Sequence, residues 1–275
     1  TSKDSTIMKN GHYSFTFPFK EASLKMIYPE YVREMKMIYR PFGILIAEPG
    51  VYYINSDISK GMAESSEIKG PSGATIYRDF EAKQDEAFGK ITKTMVGLYG
   101  LKWYMTEEKD SNFSSQQKSR DSLTNIHMYS VIEDIVKKNP SSPASAFILS
   151  GAGRQLPSLE LKEELLGLLS PKMKQSAEGK KFADYLQGLK SSNIGNIIAD
   201  FILPDPQGES IDIKSFRGKY VLLDFWASWC GPCRKSFPHM REVYKKYSSN
   251  NFDILSISTD ESQEDWLKAV KEEQN

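Results

Sequence analysis

The chain has 275 residues and carries 36 basic and 36 acidic side chains, a formal net charge of zero. That balance gives no basic footprint for nucleic acid and no polybasic anchor for a membrane surface. No apolar run approaches the roughly 20 residues that span a bilayer. The length allows one large or two to three small domains, and two cysteines are too few for a disulfide framework or a four-cysteine zinc site. The opening residues, Thr1 to Thr6, are polar and lack the apolar core of an export signal, so such a signal is expected to have been removed or left out.

Residues 1–80 read as a β-rich N-terminal domain. Asn10-Gly11 is a tight-turn signal ahead of Tyr13, Phe15 and Phe17 at alternate positions. A second hairpin is expected from Gly43–Ala47, the turn Glu48-Pro49-Gly50, and Val51–Ile54. Residues 81–192 then read as a helical segment. Met128, Val131, Ile132, Ile135 and Val136 share one helical face, as do Leu161, Leu165, Leu168 and Leu169. Asn139-Pro140 and Ser170-Pro171 mark helix boundaries, and residues 110–119 read as a polar connection.

A third pattern runs over residues 193–275. Asp205-Pro206-Gln207-Gly208 is a turn, Tyr220–Trp226 and Phe252–Ile257 are strands of the buried type, and helices are expected over 230–247 and 262–273. Strand and helix alternating at this spacing imply a parallel α/β unit.

Cys230-Gly231-Pro232-Cys233 follows the first of these strands and opens a helix. A cysteine at a helix N-terminus faces free N–H groups and the positive end of the dipole, both of which favour the nucleophilic thiolate. Cys233 returns to the same helical face. Pro232 suits the first turn, where its missing N–H costs nothing, and Gly231 lets a substrate backbone approach.

The run from Asp224 through Phe225, Trp226, Ala227, Ser228, Trp229 and the Cys-Gly-Pro-Cys motif to Arg234 resembles a thioredoxin active site almost letter for letter. Pro238 matches the proline that kinks the family's active-site helix. The segments Ala199–Asp205 and Phe216–Lys219 resemble the entry to the TlpA/ResA-like branch of exported disulfide reductases. The resemblance implies an α/β thioredoxin-like fold for residues 193–275. It implies a thiol–disulfide oxidoreductase in which Cys230 attacks, Cys233 resolves and Asp224 takes up or delivers the Cys233 proton. Trp229, Gly231 and Pro232 then meet the substrate, and Trp226 packs beside the motif. No cofactor and no metal are implied. The implied partners are a disulfide-containing protein substrate and an upstream dithiol electron donor. The implied location is extracytoplasmic, in the periplasm, with lipid anchoring through a removed signal as one route. The N-terminal domain resembles the β-domain often fused to these reductases and carries no motif with an assignable reaction.

Two departures from the pattern stand out. Ser236 stands where many exported relatives have glutamate. The family also continues with a cis-proline loop, two strands and a helix, so roughly 40 or more further residues are expected beyond Asn275, and one edge of the sheet is expected to lie bare or be covered by a partner. A half zinc site is disfavoured because the only histidines are His12, His127 and His239 and no second cysteine pair exists. A purely structural disulfide is disfavoured because so short a loop gains little from closure. His239 reads as a solvated surface residue. The competing function is a binding module in which the N-terminal β-domain recognises a partner or ligand and the redox unit is auxiliary or degenerate.

Overall fold

The structure is a computed structural model that describes residues 4–27, 42–57, 66–105 and 110–273. Residues 1–3 of the polar opening, and Asn275, on which the expected continuation rests, lie outside the described residues. The chain divides into two compact units, Thr1–Asn193 and Ile194–Asn275.

In the first unit, Lys9 and His12 exchange backbone hydrogen bonds of 2.9 Å across Asn10 (φ 52°) and Gly11 (φ 77°). Positive φ at both central residues makes this a tight hairpin turn. The strands expected on either side do not form; only the isolated bridge is present, and Phe15, Phe17 and Phe19 are exposed.

The second expected hairpin is also corrected. Strand β2 (Phe42–Ile46) pairs antiparallel with β1 (Ser23–Ile27), whereas β3 (Tyr53–Asn55) pairs with β4 (Glu67–Lys69). The Tyr52 hydroxyl donates to the Glu48 carbonyl at 2.7 Å, across the connecting turn. Strand β2 is buried throughout. Phe42, Ile44 and Ile46 pack with Ala74 on one face, and Leu45 packs with Ala144 on the other.

Helix α1 (Ser72–Tyr99) starts inside the segment expected to be β-structure, directly after Pro71. Helix α2 (Phe113–Lys138) likewise takes in most of the stretch read as a polar connection. A polar sequence at the start of a long helix leaves no apolar stripe to read. The helical series continues with α3 (Pro143–Gly151), α4 (Leu159–Leu168), α5 (Pro171–Lys174) and α6 (Ala177–Ser191). Serine side chains cap four of these starts: Ser142, Ser158, Ser170 and Ser176 accept from the N–H groups of Ala144, Leu161, Met173 and Gly179. Each such cap is worth about 1 kcal/mol. One continuous core joins the helices through Phe80, Ile91, Met95, Met128, Ile132, Leu149, Leu165 and Phe182.

The second unit opens with a hairpin of β5 (Ile202–Pro204) and β6 (Ser210–Asp212). Asp205 Oδ1 accepts from the N–H groups of Gln207 and Glu209 and stabilises its turn. Strand β7 (Tyr220–Trp226) pairs parallel with β8 (Phe252–Ser258), with α7 (Gly231–Tyr247) between them and α8 (Gln263–Glu273) after them. The parallel α/β order is the expected one, but the strands are not of the fully buried type. Tyr220, Leu222 and Phe225 are 79%, 42% and 61% exposed. These residues lie on both faces of the strand by the alternation of side chains. The buried apolar residues among those described in this unit are Ile213, Trp226, Ala227 and Ala269, so within β7 and β8 only Trp226, at the C-terminal end of β7, is buried.

Candidate active site

The two cysteines sit where the sequence puts them, at the junction of β7 and α7. Cys230 is the N-cap of α7, with Gly231 and Pro232 as its first residues. Cys230 and Cys233 are joined by a disulfide, their Cα atoms 5.3 Å apart. The Cys233 N–H points at Cys230 Sγ at 3.3 Å, and the Arg234 N–H donates to the Cys230 carbonyl at 3.0 Å. The first sulfur therefore lies against the unpaired N–H end of the helix, where negative charge is favoured. Both cysteines are half-buried, and Gly231, Pro232 and Trp229 are exposed, Trp229 at 78%.

Trp226 is 5% exposed, and its ring meets Phe237 of α7 edge-on at 5.0 Å. Asp224, two residues earlier, shares that side of the strand. This places its carboxyl on the α7 side of the sheet. Asp224 Oδ2 is buried with no hydrogen-bond partner among the described residues. Ser236 donates its hydroxyl to the Cys233 carbonyl at 2.6 Å. That bond lies one turn ahead of Pro238, which stands inside the helix. His239 is exposed, with Glu242 at 4.0 Å.

Sequence reasoning passed over Asp260 and gave Arg234 no role of its own. Asp260 follows β8 and accepts from the Ser228 N–H at 2.9 Å and the Ser228 hydroxyl at 2.7 Å, as well as the Ser258 hydroxyl at 2.7 Å. Burial pushes its carboxyl up, but these donors outweigh it and hold the group below the usual carboxylate range. Arg234 donates to Glu273 at 2.6 Å and Glu272 at 2.8 Å, and reaches the Ser228 carbonyl at 3.4 Å. Nothing local in the sequence pairs Ser228 with Asp260, 32 residues away; only the parallel register of β7 and β8 brings them together.

The model of the AhpC/TSA family matches residues 194–275. The thiol-disulfide oxidoreductase ResA of Bacillus cereus (strain ATCC 10987 / NRS 248) is 36% identical over 81 residues, which is 30% of this chain and 47% of that protein. ResA of Bacillus subtilis (strain 168) is 37% identical over 75 residues, 27% of this chain and 42% of the relative. A solved thioredoxin domain of a thiol-disulfide oxidoreductase from Bacteroides vulgatus is 37% identical, covering 30% of this chain and 60% of that one with a TM-score of 0.29. The chain thus spans about half the length of the curated relatives it matches. Residues 194–275 form a thioredoxin-like segment, similar in sequence to the ResA thiol–disulfide oxidoreductases.

Proposed function

We propose that this chain carries out thiol–disulfide exchange on protein disulfides through Cys230 and Cys233. The observation that carries the reading is the disulfide itself, closed across the first turn of a helix at the end of a β-strand, in a segment similar to ResA. In the reduced form the Cys230 thiolate attacks one sulfur of a substrate disulfide. That S–S bond breaks, the leaving sulfur takes a proton, and Cys230 is joined to the other sulfur as a mixed disulfide. Cys233 then gives its proton to the Asp224 carboxylate and attacks Cys230 Sγ, releasing the second substrate thiolate. The substrate gains two electrons, and the pair ends as the Cys230–Cys233 disulfide. An upstream dithiol donor restores the reduced pair.

Exposed Trp229, Gly231 and Pro232 supply the surface on which an extended substrate segment lies beside Cys230. We place the protein outside the cytoplasm, where a disulfide of this kind persists between turnovers. Among the described residues no helix is long and apolar enough to cross a membrane.

The test is reduction of insulin in the presence of dithiothreitol. The chain should speed precipitation of the insulin B chain, and Cys230→Ser should remove the acceleration. Equal rates for the two proteins would contradict the reading.

A further inference from the structure

We propose that Asp260 is a positioning residue for the cysteine pair, clamping the turn that presents Cys230 to the end of the neighbouring strand. The inference rests on the thiol–disulfide reading above and adds to it a residue outside the Cys-Gly-Pro-Cys motif.

The turn from β7 into α7 is held by few bonds of its own. The Cys230 N–H donates to the Ala227 carbonyl at 3.0 Å, and the Gly231 N–H donates to the Trp229 carbonyl at 3.1 Å. A further anchor is Ser228, two residues ahead of Cys230. Its N–H lies 2.9 and 3.1 Å from the two Asp260 oxygens, and its hydroxyl donates to Oδ1 at 2.7 Å. Asp260 is in turn fixed by its own strand end: the Ser258 hydroxyl donates to Oδ2 at 2.7 Å, and Ser258 Oγ accepts from the Asp260 N–H at 3.0 Å. The Thr259 N–H and hydroxyl close the same junction by donating to the Trp226 carbonyl at 2.9 and 3.2 Å. One carboxylate therefore gathers three donors and joins the ends of both strands. A charged acceptor with three donors makes bonds stronger than neutral ones.

The consequence falls on Cys230. Its thiolate is favoured only while its sulfur sits against the helix end, facing the Cys233 N–H. A turn freed at Ser228 loosens the hold on Cys230, so its sulfur no longer stays on the Cys233 N–H. The charged groups around the turn have distinguishable effects. Arg234 touches the Ser228 carbonyl and is itself neutralised by Glu272 and Glu273, and Asp224 lies on the α7 side of β7. If Asp260 acted on Cys230 only by its charge, removing that charge would favour the thiolate. Loss of the clamp disfavours it. The two roles have opposite signs.

The experiment measures the rate of iodoacetamide alkylation of Cys230 against pH in the reduced full chain, for the parent, Asp260→Asn and Ser228→Ala. An asparagine keeps the shape and one acceptor oxygen, but brings an NH2 group to where a second acceptor is needed. The expected result is a profile moved to higher pH in Asp260→Asn, with the rate at pH 7 falling roughly three- to tenfold. Ser228→Ala, which keeps the charge and the backbone bond, should move the same way by less. A lower thermal midpoint with an unmoved profile reduces Asp260 to a structural residue and overturns the proposal. A profile moved to lower pH overturns it in favour of a simple charge effect. Should Asp260→Asn fail to fold, Ser228→Ala carries the test, and an unmoved profile there is decisive against the clamp. Alkylation needs no substrate protein, so this result stands apart from the insulin assay. Normal alkylation with no insulin reduction counts against the function and leaves the clamp intact.

Discussion

At Asp224 the strand carries a buried carboxylate oxygen without a hydrogen-bond partner among the described residues. An unsatisfied buried polar group costs about 1–3 kcal/mol, an arrangement that a purely structural strand would not need. If Asp224 accepts the Cys233 proton, Asp224→Asn should slow resolution of the mixed disulfide about 10- to 100-fold and leave the Cys230 attack rate nearly unchanged. Stopped-flow mixing with a chromogenic disulfide separates the two steps, and equal slowing of both would remove Asp224 from the proton path. Asp260 behaves in the opposite way, because its carboxylate is satisfied and held below the usual range by its donors. Its contribution to stability is complete above the ordinary carboxyl range and is lost as the pH falls through its lowered folded value. Urea midpoints of the parent should drop more between about pH 5 and pH 2 than those of Asp260→Asn; parallel curves would deny that Asp260 is linked to folding. The contrast also shows what was readable from sequence. Cys230, Cys233 and Asp224 lie close together in the chain and share a recognisable pattern, so they could be singled out from the sequence. The Ser228–Asp260 pair depends on strand register, which no local pattern encodes.

Among the elements, helices with an apolar stripe were the most legible. The Met128–Val136 face and Leu165 enter the core as their spacing implies, and Ser170 ahead of Pro171 caps a helix as the dipeptide suggests. Strand partners were not legible. Glu48-Pro49-Gly50 reads as a hairpin turn, yet β2 pairs with β1 and β3 with β4, since a turn signal does not say which strand lies alongside. Strand exposure was also misjudged at Tyr220, Leu222 and Phe225, since an apolar run alone does not say how many layers cover it. Close packing between elements makes a sharp prediction at two glycines. In the interior of an exposed helix surface, glycine to alanine stabilises by up to about 1 kcal/mol. A methyl group added at Gly89 in α1 would meet nothing within 4 Å, so Gly89→Ala should follow that rule. At Gly179 in α6 the same methyl would lie 2.0 Å from the Met173 carbonyl oxygen. Gly179→Ala should therefore destabilise by about 2 kcal/mol or more, because backbone cannot move aside cheaply. Thermal unfolding of the two variants should give shifts of opposite sign; a stabilised Gly179→Ala would contradict the tight approach of α5 to α6.

For the whole molecule, the division at Asn193 separates a helical unit with a continuous core from an α/β unit that buries few residues. We propose that residues 1–192 fold without the redox unit. A fragment ending at Ser192 should unfold in one cooperative thermal transition, and an aggregated or gradually melting fragment would contradict this. The proposed function puts the chemistry in the second unit, with Cys230 as the attacking sulfur and Cys233 as the resolving one. Trapping tests that claim most directly. The full chain with Cys233→Ser, mixed with a peptide containing one disulfide, should accumulate a stable adduct whose digest places the peptide on Cys230. The chain with Cys230→Ser should accumulate little or none. Adduct formation through Cys233 in the Cys230→Ser chain, with none through Cys230 in the Cys233→Ser chain, would contradict the account.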